Sequence, residues 1–305
     1  MRRLLICLVV FLASVGSAQA QVVVSIKPLH SLAAGVMQGS GIEPSLLVAG
    51  STSLHDFTLK PSQAGLLHHA DIILYMGDDF ELFLTKILPQ LPASTRRVAM
   101  EKVPGITFYP VRSGGDTEGH GHEDDAHDHD EHDHGNQDLH LWLSPQNARA
   151  MVAEIARVLV AKYPEHAALF ARNAVALDAK LQALDAQLRE RMALLSGKPF
   201  AVFHDATQYF DRAYGLDFIG AVALHEGHAP GAKHLQELRA RIAGLHAACV
   251  FSEPEFDGRV IDNLMRGTGA KSAVIDPEAA LIAPGPDLYF QLMEGIAAGM
   301  ETCLK

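Results

Sequence analysis

Cysteine is scarce in this chain, and its placement is informative. Of the three, Cys7 lies inside an N-terminal apolar run rather than after it, which speaks against a lipid-anchored form. Long apolar stretches are lacking too. Beyond residue 20 no run approaches the roughly 20 apolar residues a helix needs to cross a bilayer, so the chain is not expected to span a membrane. Lys and Arg number 25 against 36 Asp and Glu, and they nowhere cluster. A nucleic-acid surface needs such clusters, so none is expected. No fine internal repeat is visible, and no general-base motif accompanies the histidines.

The first twenty residues set the compartment. Arg2 and Arg3 precede an unbroken apolar run over 4–12, and Ala18-Gln19-Ala20 supplies the small residues of a cleavage site. This pattern predicts a signal peptide over 1–20 and a mature chain beginning at Gln21, exported to the periplasm. Export leaves Cys249 and Cys303 as two thiols in an oxidising compartment, which predicts one disulfide. Closing so long a loop corresponds to about 4 kcal/mol in chain-entropy terms, as an upper figure.

Charge is unevenly distributed. Loss of Arg2 and Arg3 takes the formal net charge from −11 to −13, but ten acidic residues fall within 116–138, a stretch without Lys or Arg. The rest of the mature chain is near neutrality. The segment 113–138 reads SGGDTEGHGHEDDAHDHDEHDHGNQD and has one alanine as its only apolar residue. It cannot bury a core and is expected to be a disordered loop.

On either side of that loop, short apolar runs alternate with helical periodicity. Strands are expected over 22–26, 45–48, 72–75 and 97–100, with helices from 29, over 61–69 and over 79–88. Ser144 is a good N-cap and Pro145 suits the first helical turn. From Pro164 to Leu195 no Gly or Pro intervenes, and Leu177, Leu181, Leu184, Leu188, Met192 and Leu195 mark one face. Strands recur over 200–203, 218–222, 249–251 and 272–275, with helices over 206–214, 231–245, 259–266 and 287–302. Such alternation predicts parallel-rich sheets flanked by helices. The expected architecture is an α/β protein of two lobes: an N-terminal lobe over 21–144, a helical region over 145–195 whose long backbone helix spans 164–195, and a C-terminal lobe over 196–305.

Seventeen histidines are many for this length. Six lie in the acidic loop: His120, His122, His127, His129, His132 and His134. Alternating His and Asp can supply several weak, exchangeable metal sites, and the six imidazoles favour that reading over a solvated acidic linker. Three others share a context. His55 sits in a turn-like stretch, His140 follows the loop, and His204 ends a predicted strand. Strand ends and the loops after them point into the crevice where open α/β sheets bind ligands, and three or four imidazoles suit zinc. Spacing alone leaves open that these are three ordinary hydrogen-bonded histidines. His225-Glu226-Gly227-His228 imitates a metalloprotease signature, but its histidines are three apart rather than four and lie beside Gly227 and Pro230. An accessory site there is a lesser alternative. His68 and His69 are read as structural or exposed, and His30, His166, His234 and His246 carry no partner pattern.

The stretches GSTSLHDFTLKPSQ, DLHLWLSPQNA, AVFHDATQYFDRAYGL, CVFSEPEFDGRVIDNLMRGTG and VIDPEAA, ordered along nearly the whole mature chain, resemble the zinc-specific solute-binding proteins of ABC transporters, the ZnuA type. The resemblance implies two α/β lobes bridged by a rigid backbone helix, with the metal in the cleft between them. It implies His55, His140 and His204 as Zn²⁺ ligands. Some relatives carry a glutamate directly before the first of these, where this chain has Leu54, which cannot ligate. Asp276 aligns with a ligating carboxylate of relatives and is the expected fourth ligand, with a water as the alternative. A cap for the turn at Pro277 is the other reading of Asp276. Manganese and iron branches put a carboxylate at the third position, whereas an imidazole there favours zinc. The implied partner is an ABC permease in the inner membrane, and the implied state a monomer. Alternatives are a manganese or iron receptor of the same fold, a zinc hydrolase, and a zinc-buffering protein that works through its loop.

Overall fold

A computed structural model of the chain describes residues 21–50, 57–112, 137–223, 231–254, 256 and 259–305. The proposed leader 1–20, His55, the six loop histidines, and His225 and His228 lie outside these.

The N-terminal lobe runs β1 (Val22–Val24), α1 (Lys27–Met37), β2 (Ser45–Leu46), α2 (Pro61–His68), β3 (Ile72–Tyr75) and β4 (Arg96–Ala99). All its strand pairs are parallel, in the order β2-β1-β3-β4. A two-residue antiparallel pair follows, β5 (Tyr109–Pro110) with β6 (Gln137–Asp138), which brackets the acidic segment. The helices α3 (Pro145–Lys162) and α4 (Ala167–Ala193) then lead to the C-terminal lobe: β7 (Phe200–His204), α5 (Gln208–Tyr214), β8 (Phe218–Ala223), α6 (Ala232–Gly244), β9 (Cys249–Ser252), α7 (Arg259–Met265), β10 (Lys271–Val274) and α8 (Leu288–Leu304). Its sheet is also parallel, in the order β10-β9-β7-β8. The two sheets share one topology. In each, the first strand feeds an edge neighbour on one side, and the chain then returns to add the third and fourth strands on the other.

Strand alternation explains how these sheets are covered. Val22, Val24, Ile72 and Leu74 face one core, and Val23, Ile73 and Tyr75 face a separate apolar cluster with Leu47 and Leu67. In the second lobe Phe200, Val202 and Phe251 face the first core, while Ala201, Phe203 and Val250 join Leu238 and Ile242. Successive side chains of a strand point to opposite faces, so apolar runs with no polar break need cover on both sides. The inner faces of both sheets thus share one continuous core with α1, α3, α4 and α8.

The long helix follows its sequence signals closely. Ser144 caps α3 by accepting the amide of Asn147 at 3.2 Å. Pro164–His166 forms a 3-10 turn, and α4 then runs 27 residues, about 40 Å at the standard rise. Phe170, Leu177, Leu181, Leu184, Leu188 and Met192 are its buried face. Two expectations need correction. The helix expected over 79–88 is a pair of short 3-10 turns, Leu82–Leu84 and Leu88–Gln90. Glu81 turns inward and accepts the amides of Met76 and Gly77, and Pro89 cannot continue a helical ladder. The loop expected to be disordered through 138 instead ends in ordered structure, since Gln137 and Asp138 pair with Pro110 and Tyr109.

Cys249 and Cys303 are joined, tying the start of β9 to the last turn of α8. A second set of ties crosses between the lobes. The Lys27 ammonium, at the start of α1, donates to the carbonyls of Ala279 and Ala280 at 2.9 and 2.7 Å. The Trp142 indole donates to the Pro277 carbonyl at 2.9 Å, and the Tyr289 hydroxyl to the Trp142 carbonyl at 2.7 Å. The Ser31 hydroxyl donates to the Pro286 carbonyl and accepts the Tyr289 amide, both at 3.0 Å.

Candidate metal centre

A sheet of this topology has a built-in crevice. Where the chain leaves the first strand in one direction and the third in the other, the loops beyond the strand ends part, and ligands bind there. In the C-terminal lobe that point lies between β7 and β9. His204 is the last residue of β7, and Glu253 follows β9 directly. In the N-terminal lobe the equivalent point, between β1 and β3, holds Ser25 and the buried Glu81, whose carboxyl is pushed up to about 7 by burial, against the Met76 and Gly77 amides and the Ser25 hydroxyl.

His140 reaches the crevice from between the lobes, two residues after the end of β6. Its ring centroid is 5.0 Å from that of His204. Asp138 holds it twice: one carboxylate oxygen accepts the His140 amide at 2.9 Å and lies 2.7 Å from Nδ1. A proton on Nδ1 donated to Asp138 leaves Nε2 with the lone pair that a metal needs. Phe80 and Trp142 meet the ring edge-on at centroid distances of 5.5 and 5.2 Å. Phe80 is carried by the turn that Glu81 pins, so that buried carboxyl helps to build the wall behind His140.

His204 is only 7% exposed, and Phe256 closes over its strand neighbour Phe203 in a stacked pair at 4.3 Å. Burial, reinforced by the neighbouring His140, pushes the His204 imidazole down to about 3. At neutral pH it is therefore an uncharged ring, the form that ligates metal. Burial pushes Glu253 in the opposite direction, up to about 8, against the pull of His140. The pair sets a buried imidazole beside a buried carboxyl, and a nearby divalent cation would favour ionisation of the acid.

Asp276 stands two residues beyond β10. Its two oxygens accept the amides of Ala280 and Leu281 at 2.7 and 2.9 Å. The carboxylate therefore caps the turn it opens, which is the second of the two roles expected for it, and a carboxylate retains further lone pairs beyond those two bonds. Among the described residues no group of three or more His, Cys, Asp or Glu side chains converges as a metal cage. His55 lies outside them, and the structure brings together His140 and His204. The remaining described histidines have plainer surroundings. His30 is buried against the Pro44 carbonyl at 3.0 Å, His234 lies 2.8 Å from the Ala221 carbonyl, and His68 and His69 are exposed.

Three residues of the crevice escape a reading of the sequence. Asp138 is counted there only as the last acid of the loop, although its position two residues before His140 is the available signal. Glu253 stands in the stretch FSEPEF with nothing but its place at a strand end before Pro254 to mark it. Arg112 is a lone cation ahead of the acidic segment. It pairs with Asp205 and Asp211 and lies 3.4 Å over the Phe218 ring. Together with the Gln208 amide on the Pro110 carbonyl and the Tyr209 hydroxyl on the Asp138 carbonyl, this pair fastens both strands that bracket the loop to the start of α5.

Comparison with known proteins places the chain. The sequence model of the family described as "Zinc-uptake complex component A periplasmic" matches residues 22–303. The chain is 40% identical to the high-affinity zinc uptake system protein ZnuA of Brucella suis, over 96% of this chain and 94% of that protein. It is 35% identical to the protein of the same name from Haemophilus ducreyi, over 94% of each. Among solved structures, a crystal structure of ZnuA superposes with a TM-score of 0.73 at 25% identity, covering 92% of this chain and 99% of that one. The periplasmic zinc-binding protein TroA of Treponema pallidum, at 20% identity over the same shares, gives 0.74 and shares the fold. The match over nearly the whole chain, with a parallel sheet in each lobe and one long helix between them, places the protein in a single lineage: it belongs to the family of periplasmic A components of zinc-uptake complexes.

Proposed function

We propose that this protein captures Zn²⁺ in the periplasm and delivers it to an ABC permease in the inner membrane, acting as a monomer and by hand-over rather than catalysis. The observation that carries the reading is the pairing of His140 and His204, two buried rings 5.0 Å apart at the switch point of the second sheet. His55 completes the imidazole set. Asp276 supplies the fourth position through a lone pair not used by its turn, with a water as the substitute. The leader 1–20 is removed on export, which leaves lobes over 21–144 and 196–305 about the helical region 145–195. Imidazole-rich sites favour zinc over manganese, which prefers oxygen.

The histidines at 120, 122, 127, 129, 132 and 134 form weaker, exchangeable sites that raise the local zinc concentration beside the cleft. A short tether gives effective concentrations in the ~mM range, and ten acidic residues attract a dication at long range, an effect that salt screens. The decisive experiment measures metal content after purification, then titrates zinc into the full chain and a variant lacking 116–136. The deletion, which spares β6, is expected to remove the weak sites, keep the tight one and leave melting unchanged. Manganese or iron in the purified protein, or loss of the tight site in the deletion, would overturn the reading.

Protons compete with zinc for imidazole lone pairs, and an unperturbed imidazole titrates at about 6.5. Zinc affinity is therefore expected to fall as the pH drops from 7 toward 5. Burial, with His140 beside it, holds His204 well below that value, so its protonation contributes least to the fall. Calorimetric titrations at several pH values that return one constant affinity would argue for a site dominated by carboxylates.

A further inference from the structure

The order of the second sheet places three side chains in a row. Strands β7, β9 and β10 are adjacent, and beyond their ends stand His204, Glu253 and Asp276. Glu253 occupies the middle position and is 4% exposed. One of its oxygens accepts the His204 amide at 3.3 Å, and the other lies 3.6 Å from His204 Nδ1, just outside hydrogen-bond range. Pro254 restricts the backbone of Glu253 to extended conformations, which keeps the carboxyl over the neighbouring strand end. The same arrangement exists across the crevice, where one oxygen of Asp138 serves both the amide and Nδ1 of His140. His140 and His204 thus each have an acid that accepts the backbone amide and faces the ring Nδ1.

We propose that Glu253 is the positioning residue of His204, accepting Nδ1–H so that Nε2 is presented to the metal, as Asp138 does for His140. Carboxylates behind ligating imidazoles fix the tautomer and ring orientation, and removing one costs about 10–100-fold in metal affinity. The assignment rests on His204 being a zinc ligand. It gives Glu253 a role distinct from that of Asp276, whose two oxygens hold a turn of their own strand end.

The test compares Glu253→Gln with Glu253→Met. Glutamine keeps an acceptor oxygen, while methionine is similar in volume and has none. Zinc affinity is measured below the melting transition of each variant, and Co²⁺ absorption reports the number and geometry of ligands. Glu253→Met is expected to bind zinc about 10–100-fold more weakly, and Glu253→Gln within about threefold of the parent, with Co²⁺ band intensity unchanged in both. Parent-like affinity in Glu253→Met would overturn the proposal. So would a Gln variant as weak as the Met variant, because charge rather than an acceptor would then matter. A change in Co²⁺ band intensity would make Glu253 a ligand instead. His204→Ala serves as the control: zinc binding unaffected by that change would sink the underlying assignment of His204, whatever the Glu253 variants do.

Discussion

His140→Ala and His204→Ala are each expected to weaken tight zinc binding by about 3 kcal/mol. Four-ligand structural zinc sites bind with roughly 10–16 kcal/mol, so an even share per ligand is of that order, and 3 kcal/mol corresponds to more than a hundredfold in affinity. The two sites should differ in what remains. After His140→Ala, Asp138 still accepts the backbone amide of residue 140, and Phe80 and Trp142 lose a ring they meet edge-on. After His204→Ala, a carboxyl pushed up to about 8 by burial is left facing an empty strand end. Neither change removes an apolar side chain of the core, so metal-free melting is expected to move by only a few degrees. The clearest readout is the rise in melting temperature on adding zinc, because a ligand bound only by the native state stabilises it by mass action. At saturating zinc that rise should shrink by the same ~3 kcal/mol of stabilisation in both variants and in His55→Ala. If all three retain parent affinity by calorimetry, the cleft assignment is wrong.

Reduction of the Cys249–Cys303 bond, or its replacement by Cys249→Ser with Cys303→Ser, is expected to cost about 4 kcal/mol, because the bridge spans 54 residues. For a chain of this size that corresponds to a fall in melting temperature of roughly 10 °C. The bridge fastens α8, which packs against α1, α4 and β10 and carries Leu292, Met293, Ile296 and Met300 into the shared core. Loss of the bridge should therefore loosen the last turn of α8 first, visible as faster amide exchange near Cys303 than near Leu292. Zinc affinity should change far less than in the histidine variants, since Cys249 lies at the opposite end of β9 from Glu253. Equal melting with and without reductant would show that the bridge does not stabilise the fold.

Much of the fold is legible in the sequence because its signals are local. Runs such as Ile72–Tyr75 and Phe200–His204 admit no polar break, so parallel strands covered on both faces are the natural solution. Ser144 with Pro145, and the leucines of α4, mark helices by caps and periodicity. The stretch 79–88 misleads for a reason that no local pattern reveals: Glu81, within a helix-like stretch, is fully buried against backbone amides. The site divides in the same way. His140 and His204 stand out by residue type and by the stretches around them. Asp138 and Glu253 are ordinary acids in sequence, and only the pairing of β5 with β6 and the adjacency of β7 and β9 show what they face. Arg112 is harder still, since its partners Asp205 and Asp211 lie about a hundred positions away.

Lys27 and its two carbonyl partners, with the Trp142 and Tyr289 bonds behind them, bear on timing as well as on shape. In a receptor whose jaws swing freely, the residence time of the cargo is set by how often the jaws part. Here a swing would have to break several buried bonds between the lobes at once, in a medium where each unpaired group costs about 1–3 kcal/mol. If His140 and His204 hold the ion as proposed, its residence time passes from the hinge to those ligands. Release would then be set by the strength of those bonds to the metal and not by how often the lobes part.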